Sequence, residues 1–221
     1  MDLPHPGVRD FSPHFTFTHI RLPIVERFKH PEKAGFLYET LLRRKIPFVV
    51  EHAVEHLGRE LVTVVGAAKD RQQMLTDTLL NLWPAARLDP SPGPLLFLSG
   101  GAITGGYLMS HENSVNEQIH LPEVLNLLVH LAFIGESVGL QVVAHPKRSR
   151  NGFAVNFRLT ASASTVFRAR ELASTVAEGY RTLRFIGAPT GSFPVLAARA
   201  SFIARYAFPS SPEDLSKIMY L

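Results

Sequence analysis

One pentapeptide of this 221-residue chain, His52-Ala-Val-Glu55-His56, has the spacing of an inverted zinc-protease motif. In that motif two histidines one helical turn apart hold the zinc ion, and the glutamate acts as the base. Here the pentapeptide follows Phe48-Val-Val and precedes Leu61-Val-Thr-Val-Val, a pattern typical of strands. Two strand histidines at this spacing are too far apart to share one ion. We therefore expect both histidines at solvated or edge-strand positions and no metal site.

A glycine-rich run over residues 100–106 has the glycine spacing of a phosphate-binding loop. The Walker pattern requires Lys and then Ser or Thr after its last glycine, to reach the phosphates and the magnesium ion. Tyr107 follows the last glycine here. The run therefore predicts a flexible turn or a bulged strand rather than a nucleotide site, and no cofactor is expected.

The segment 151–157 resembles the third-strand motif of RNA-recognition modules, which stack bases on aromatic residues of a sheet. It is one residue short of that motif. Because a one-residue shift exchanges the two faces of a strand, Phe153, Val155 and Phe157 are expected to share a face that helices cover.

Three cations, Lys147, Arg148 and Arg150, lie at the tip of a predicted hairpin. Charge at such a tip is usually only solvated. The functional alternative is contact with nucleic-acid phosphates or with an acidic partner surface. These three residues are the only candidate contacts that we assign, and we assign no catalytic residue and no metal ligand.

The elements that must position these residues follow one order twice: strand, helix, two strands, helix, strand. The first set is predicted at residues 14–22, 31–45, 48–56, 60–67, 70–83 and 85–88. The second set is predicted at residues 95–98 with 106–110, 121–134, 140–146, 153–159, 165–185 and 196–206.

Two βαββαβ units are the signature of the ferredoxin-like split βαβ arrangement. The sequence therefore predicts an α+β fold of two tandem ferredoxin-like units, each with an antiparallel sheet and two helices on one face. We expect an arm and first unit over residues 1–92, a second unit over 93–209 and a C-terminal tail over 210–221. A single mixed α+β domain is the alternative.

The composition is that of a soluble globular protein, with 46% hydrophobic and 19% charged residues. The absence of cysteine excludes disulfides, thiol nucleophiles and cysteine-ligated metal sites. The net charge of +4 is compatible with a phosphate-bearing or acidic partner. The longest apolar run, residues 127–135, is far short of the roughly 20 residues of a membrane span. No secretory signal is recognisable at the N-terminus, so we expect a cytoplasmic protein.

Several stretches resemble the N-terminal region of conjugation and type IV secretion motor ATPases, in the FtsK–HerA group. They are Ile20-Arg-Leu-Pro23 with the following Pro-Glu-Lys-Ala helix and hairpin, Leu79-Leu-Asn-Leu-Trp-Pro-Ala-Ala-Arg-Leu88, Leu121-Pro-Glu-Val-Leu-Asn-Leu-Leu, and Leu140-Gln-Val-Val-Ala-His-Pro146. The segment Ser216–Leu221 stands where that family leads into its motor domain.

The resemblance implies an accessory region that positions a motor or docks it to the transfer channel. The Walker lysine, its acidic partner and the motor domain are missing, so ATP hydrolysis is not expected. Our first hypothesis is a non-enzymatic docking and assembly module of a DNA-transfer or secretion motor. Its expected partners are the motor ATPase domain, secretion-channel components, DNA or a second copy, with membrane association only through partners. The alternatives are a nucleic-acid-binding module like an RNA-recognition module and, last, a zinc metallohydrolase.

Overall fold

Nine strands, drawn from both halves, form one antiparallel sheet in the computed structural model, which describes residues 8–23, 26–54, 60–91, 101–110, 121–147, 152–180, 183–188 and 199–221. The α+β class and the antiparallel pairing are confirmed. The strands are β1 (Val8–Asp10), β2 (Phe15–Arg21), β3 (Phe48–Val54), β4 (Leu61–Ala68), β5 (Arg87–Pro90), β6 (Ala102–Ser110), β7 (Ser137–Pro146), β8 (Phe153–Ala163), β9 (Leu183–Gly187), β10 (Ser201–Ile203) and β11 (Phe208–Ser210).

The described helices begin where the sequence supplies a suitable first residue. Pro31 opens α1, where a missing N–H costs nothing. The hydroxyl groups of Thr165 and Ser211 accept N–H groups of the first turns of α4 and α5. The helices are α1 (Pro31–Arg43), α2 (Gln72–Leu82), α3 (Leu121–Leu131), α4 (Val166–Glu178) and α5 (Pro212–Ile218).

The sheet order is β5-β2-β4-β3-β7-β8-β6-β9, with β11 added beside β8. Each half contributes four consecutive strands, β2 to β5 and β6 to β9. In each set the first strand lies between the third and the fourth, and the second strand lies at the edge that meets the other half. The two second strands, β3 and β7, pair with each other from Phe48 opposite Ala144 to Val54 opposite Val138. The expectation of two separate sheets is therefore wrong, because the edge strands of the two halves satisfy each other's backbone groups.

The two faces of the sheet differ. On β3 and β7 the even-numbered side chains, such as Val50 and Val142, join the buried residues of the helices in one core. The odd-numbered side chains point to the opposite face, where Val49 and Val143 form a smaller cluster with Phe15 and Ala200. This alternation follows from the two-residue period of a strand. We call the two sides the helix face and the far face.

The long helix predicted over residues 165–185 is wrong in its second part. Helix α4 ends at Glu178, and Leu183–Gly187 form β9, which pairs with β6 at the edge of the sheet. Tyr180 and Leu183 continue the helical spacing but are buried at the turn and at the start of the strand.

The predicted last strand, 196–206, is also wrong in its described part, residues 199–206, where only Ser201–Ile203 form a strand and it pairs with β1 rather than with the main sheet. This small ribbon contains part of the N-terminal arm that was expected to be irregular. Residues 95–98 lie outside the described residues. The glycine-rich β6 keeps a regular register with β8 from Ala102 to Leu108, so the bulge expected there is absent.

The C-terminal segment, predicted as a tail from residue 210, folds back onto both halves. Strand β11 spans that boundary and pairs with β8 of the second half. Helix α5 then packs against α1 of the first half. The Tyr38 hydroxyl donates to the carbonyl oxygen of Met219 at 2.7 Å, and the N–H of Phe28 donates to Leu221 at 3.2 Å. The boundary at residues 92 and 93 lies outside the described residues.

Candidate functional site

His52 is a buried core residue of β3, whereas a solvated or edge position was expected. Its Nε2 atom lies 3.0 Å from the carbonyl oxygen of Tyr220, and its Nδ1 atom lies 2.9 Å from the hydroxyl of Thr63. A carbonyl oxygen only accepts, so Nε2 carries the proton and Nδ1 accepts from the hydroxyl. Burial lowers the pKa of His52 to about 4, although the bond to Tyr220 opposes the shift. The imidazole thus holds the C-terminal segment on the sheet.

Both ring nitrogens of His52 are occupied by hydrogen bonds, which leaves neither for a metal ion. Glu55 and His56 lie outside the described residues. Among the residues that the structure describes, no three His, Asp or Glu side chains are grouped as metal ligands would be.

The other sequence candidates fall in different places. Phe153, Val155 and Phe157 lie on the helix face and are fully buried, as their spacing predicted. The ring of Phe157 meets Tyr180 edge-on at 5.1 Å, so these aromatic rings are not available for base stacking. Lys147 directly follows β7 and is partly exposed, with its N–H donated to the Gly152 carbonyl at 3.0 Å. Arg148 and Arg150 lie outside the described residues.

A row of polar side chains crosses the seam between the two halves on the far face. Glu51 of β3 stands opposite Gln141 of β7, Gln141 stands opposite Arg158 of β8, and Arg158 stands opposite Tyr107 of β6. All four are at least nine-tenths buried. Burial also raises the pKa of Tyr107. We call these residues the polar row.

Arg199 lies over the polar row and contacts both halves. Its Nε atom donates to Oε2 of Glu51 at 3.1 Å, and its guanidinium carbon lies 4.7 Å from the centre of the Phe17 ring. Its carbonyl oxygen accepts from Arg158 at 3.2 Å. The side chain of Arg199 is thus fixed on the first half and its backbone on the second half.

The residues after Arg199 continue across the far face of the second half. Asn156 makes two hydrogen bonds with the backbone of Ile203, at 2.6 and 3.0 Å. The ring of Tyr206 stacks on Tyr107 with 4.3 Å between centroids. Arg158 also donates to the hydroxyl of Ser201. These contacts hold residues 199–206 as a fixed cover on the strands.

The sequence interpretation missed the polar row. Its only signal was a charged residue within an apolar strand, at Glu51 and again at Arg158. A buried charge needs a partner, but Arg199 is separated from Glu51 by 148 residues and no local pattern pairs them.

An apolar patch lies on the opposite side of the molecule, where α3 ends and α4 begins. Its members are strongly exposed: Phe133 at 58%, Ile134 at 78%, Val166 at 49% and Phe167 at 80%. The remaining exposed large apolar side chains of the described residues are Phe36, Leu80 and Leu127. We call the first four residues the apolar patch.

Arg168 fixes the two segments of the apolar patch relative to each other. Its Nε and Nη2 atoms donate to the two carboxylate oxygens of Glu136 at 2.8 and 3.0 Å, and Nη2 also donates to the Leu131 carbonyl at 2.8 Å. The guanidinium carbon lies 5.0 Å from the centre of the Phe133 ring. Burial acts to raise the pKa of Glu136, but the bonds from Arg168 and from the Phe133 N–H outweigh it and lower that pKa.

The turn beneath Phe133 and Ile134 has a defined backbone as well. Gly135 has a φ of +92°, a conformation that favours glycine. The N–H of Glu136 donates to the Phe133 carbonyl at 2.9 Å, and the Glu136 carboxylate accepts the Phe133 N–H at 3.0 Å. The exposed side chains of Phe133 and Ile134 therefore stand on a turn whose backbone is fixed by hydrogen bonds.

Comparison with known proteins leaves the family open, since no family model matches the sequence and no curated protein matches it. Across the described parts of the chain, no helix has the length and apolar character needed to span a bilayer.

Proposed function

We propose that this chain is a non-enzymatic docking and assembly module of a DNA-transfer or type IV secretion motor. It would act by protein contacts, and its partner would be the motor ATPase domain or a component of the secretion channel. The observation that carries the proposal is the apolar patch. The partner class rests on the resemblance of the sequence to the N-terminal regions of such motors.

The exposure of the apolar patch costs free energy in water unless a partner covers it. Contiguous exposed apolar groups often mark interaction sites, whereas single exposed apolar residues are ordinary. Phe167 directly precedes Arg168, and the Phe133 ring centre lies 5.0 Å from the Arg168 guanidinium carbon. Aromatic side chains and arginine are enriched among the residues that dominate binding energy. A partner that buries both rings would gain about 25 cal/mol for each Å² of apolar surface removed from water.

The rigidity of the apolar patch supports docking further. The bonds of Arg168 to Glu136 and Leu131, and the Gly135 turn, fix the backbone on which Phe133 stands. A partner therefore pays little entropy to order this surface, which favours affinity.

We also propose that each half of the sheet is a ferredoxin-like unit and that the two units are joined edge to edge. The strand orders β5-β2-β4-β3 and β9-β6-β8-β7 place the four strands of each half in the same succession, as a split βαβ arrangement requires. On this proposal the seam at β3 and β7 makes one rigid platform from two units.

Direct binding tests the function. The purified chain would be titrated by calorimetry with the motor ATPase domain and with each cytoplasm-facing channel component of the same transfer system, and examined alone by sedimentation. We expect saturable binding to at least one of these proteins or to itself. The proposal fails if the folded chain binds none of them.

A further inference from the structure

The far face of the second half is cationic. Strands β6, β7, β8 and β9 and the cover residues 199–206 contain arginines at 158, 184, 199 and 205 and not one Asp or Glu. Indeed no acidic residue occurs anywhere in residues 137–170 or 179–212. The described acidic residues of this half, such as Glu136 and Glu171, lie on the helices or on the turn that follows α3. The described acidic residues of this half therefore stand on other elements than these four arginines.

Two of these arginines are exposed at the surface. Arg184 stands opposite Met109 in the pairing of β9 with β6. Its strand neighbours Leu183 and Phe185 pack in the helix-face core, so Arg184 points to the far face, as Tyr107 does. The exposed Arg205 lies with its guanidinium carbon 4.6 Å from the centre of the Tyr206 ring, which itself stacks on Tyr107. Arg205 thus lies against an aromatic stack, and Arg184 lies on the same face of the sheet.

Neither exposed arginine is neutralised within the described residues. The ion pairs found there include neither Arg184 nor Arg205, whereas Arg168 on the helix side is bonded to both Glu136 and Glu171. Arg158 lies beneath the same surface and adds to its positive potential, whereas the charge of Arg199 is offset by Glu51.

We propose that the far face of the second half binds the phosphate backbone of a nucleic acid through Arg184 and Arg205, with Lys147 extending the contact toward the β7–β8 hairpin. Exposed arginines that have no ion-pair partner among the described residues, beside strands β6 to β9 and a cover that contain no acid, give the electrostatic pattern of such a surface. The Tyr206 ring is contacted by Tyr107 at 4.3 Å and by the Arg205 guanidinium carbon at 4.6 Å, so we assign the contacts to phosphates and not to bases. The binding is therefore independent of the nucleotide sequence.

The same surface does not suit an anionic membrane. Membrane-surface segments insert large apolar side chains beside their cations. The exposed large apolar side chains of the described residues all stand on helices or on the turn after α3, away from this face. A nucleic acid needs no such insertion.

The proposal is tested by fluorescence anisotropy with a short labelled DNA duplex over about 50 to 200 mM salt. The matched variants are R184S/R205S on the far face and R44S/R170S, which removes two exposed arginines from the helix side. We expect the wild type and R44S/R170S to bind with the same linear dependence of log affinity on log salt. In R184S/R205S the affinity falls and the slope decreases by about 2, one unit for each lost phosphate contact.

Three outcomes overturn the proposal. The first is no binding of the duplex by the wild type at the lowest salt. The second is an equal loss in R44S/R170S, which would reflect net charge alone. The third is binding of the wild type to vesicles of anionic lipid that weakens in R184S/R205S as much as binding to the duplex does. That result would assign the face to a membrane. Circular dichroism of each variant verifies the fold, and none of these results depends on whether the apolar patch binds a motor protein.

Discussion

Arg199 and Glu51 form a buried ion pair across 148 residues of sequence, with Nε and Oε2 3.1 Å apart and side-chain exposures of 6% and 2%. Glu51 belongs to the seam strand of the first half, and the carbonyl of Arg199 accepts from Arg158 of the second half. The pair thus fixes the cover residues 199–206 at the junction of the two halves.

The first prediction concerns this pair. Removing one member leaves an uncompensated buried charge, so Glu51→Leu and Arg199→Met should each lower the free energy of unfolding by about 3 to 5 kcal/mol. The double variant E51L/R199M should lose less than either single variant, because no lone charge remains. Urea denaturation of the four proteins measures the cycle. A double-variant loss equal to the sum of the single losses would show that the two side chains do not interact.

His52 should make stability depend on pH. Its folded pKa is about 4 against an ordinary value of 6.5. Below pH 6.5 the imidazole of His52 is therefore protonated in the unfolded chain, whereas in the folded chain it stays neutral until the pH approaches about 4. Stability present at pH 7 is lost as the pH falls through this window, by about 2 kcal/mol at pH 5.

His52→Gln provides the control for the pH effect, because its amide can donate to Tyr220 and accept from Thr63 without titrating. The other titratable groups are the same in both proteins, so the difference between their unfolding free energies isolates His52. We expect this difference to change by about 2 kcal/mol in favour of the variant between pH 7 and pH 5. A constant difference would mean that His52 titrates normally.

Gly105 and Gly187 should respond oppositely to alanine. A Cβ atom at Gly105 would overlap the carbonyl oxygen of Leu159 on the neighbouring strand, while a Cβ atom at Gly187 would meet nothing within 4 Å. Gly105→Ala should cost about 1 to 3 kcal/mol of unfolding free energy. Gly187→Ala should stay within about 0.5 kcal/mol of the wild type. Similar melting temperatures for the two variants would argue against the close pairing of β6 with β8.

Arg168 should control the order of the apolar patch. Arg168→Lys keeps the charge but cannot make the paired bonds to both oxygens of Glu136. We expect faster amide hydrogen exchange at Phe133 and Glu136 and a loss of about 1 to 3 kcal/mol. Arg170→Lys, two residues further along the same helix and exposed, is the control. Unchanged exchange in the Arg168 variant would remove this residue from the support of the patch.

Local patterns predicted most of the first half correctly. Pro31 and the apolar residues Ala34, Leu37 and Leu41 indicated α1, and the structure buries those three residues. Strong β propensity on both sides of Gly58 predicted the β3–β4 pair. Each of these elements is determined by its own residues and by its burial against one core, so propensity and packing agree.

The second half shows where sequence patterns mislead. The spacing of Val176, Tyr180 and Leu183 fits a helix, yet the helix ends at Glu178 and Leu183 begins β9. Strand β9 forms hydrogen bonds with the backbone of β6, which lies far away in the sequence. This pairing outweighs the local helical spacing of the apolar residues. The described part of the strand predicted over residues 196–206 lies on the cover rather than in the main sheet.

The candidate surfaces could be predicted only in part. The aromatic residues of β8 were correctly assigned to a covered face. The apolar patch joins a turn and a helix start that lie 32 residues apart at Glu136 and Arg168, and the polar row joins four strands. Such sites arise from topology, which a single sequence does not display.

The docking proposal is tested most directly by the affinity of the motor ATPase domain for three forms of this chain: wild type, F133S/F167S and F36S. Phe36 is 60% exposed on α1 and serves as the matched control outside the apolar patch. Calorimetry should give equal affinities for the wild type and F36S and an affinity at least about tenfold weaker for F133S/F167S. Equal affinities for all three forms, or a loss in F36S as large as in F133S/F167S, would contradict docking through the apolar patch.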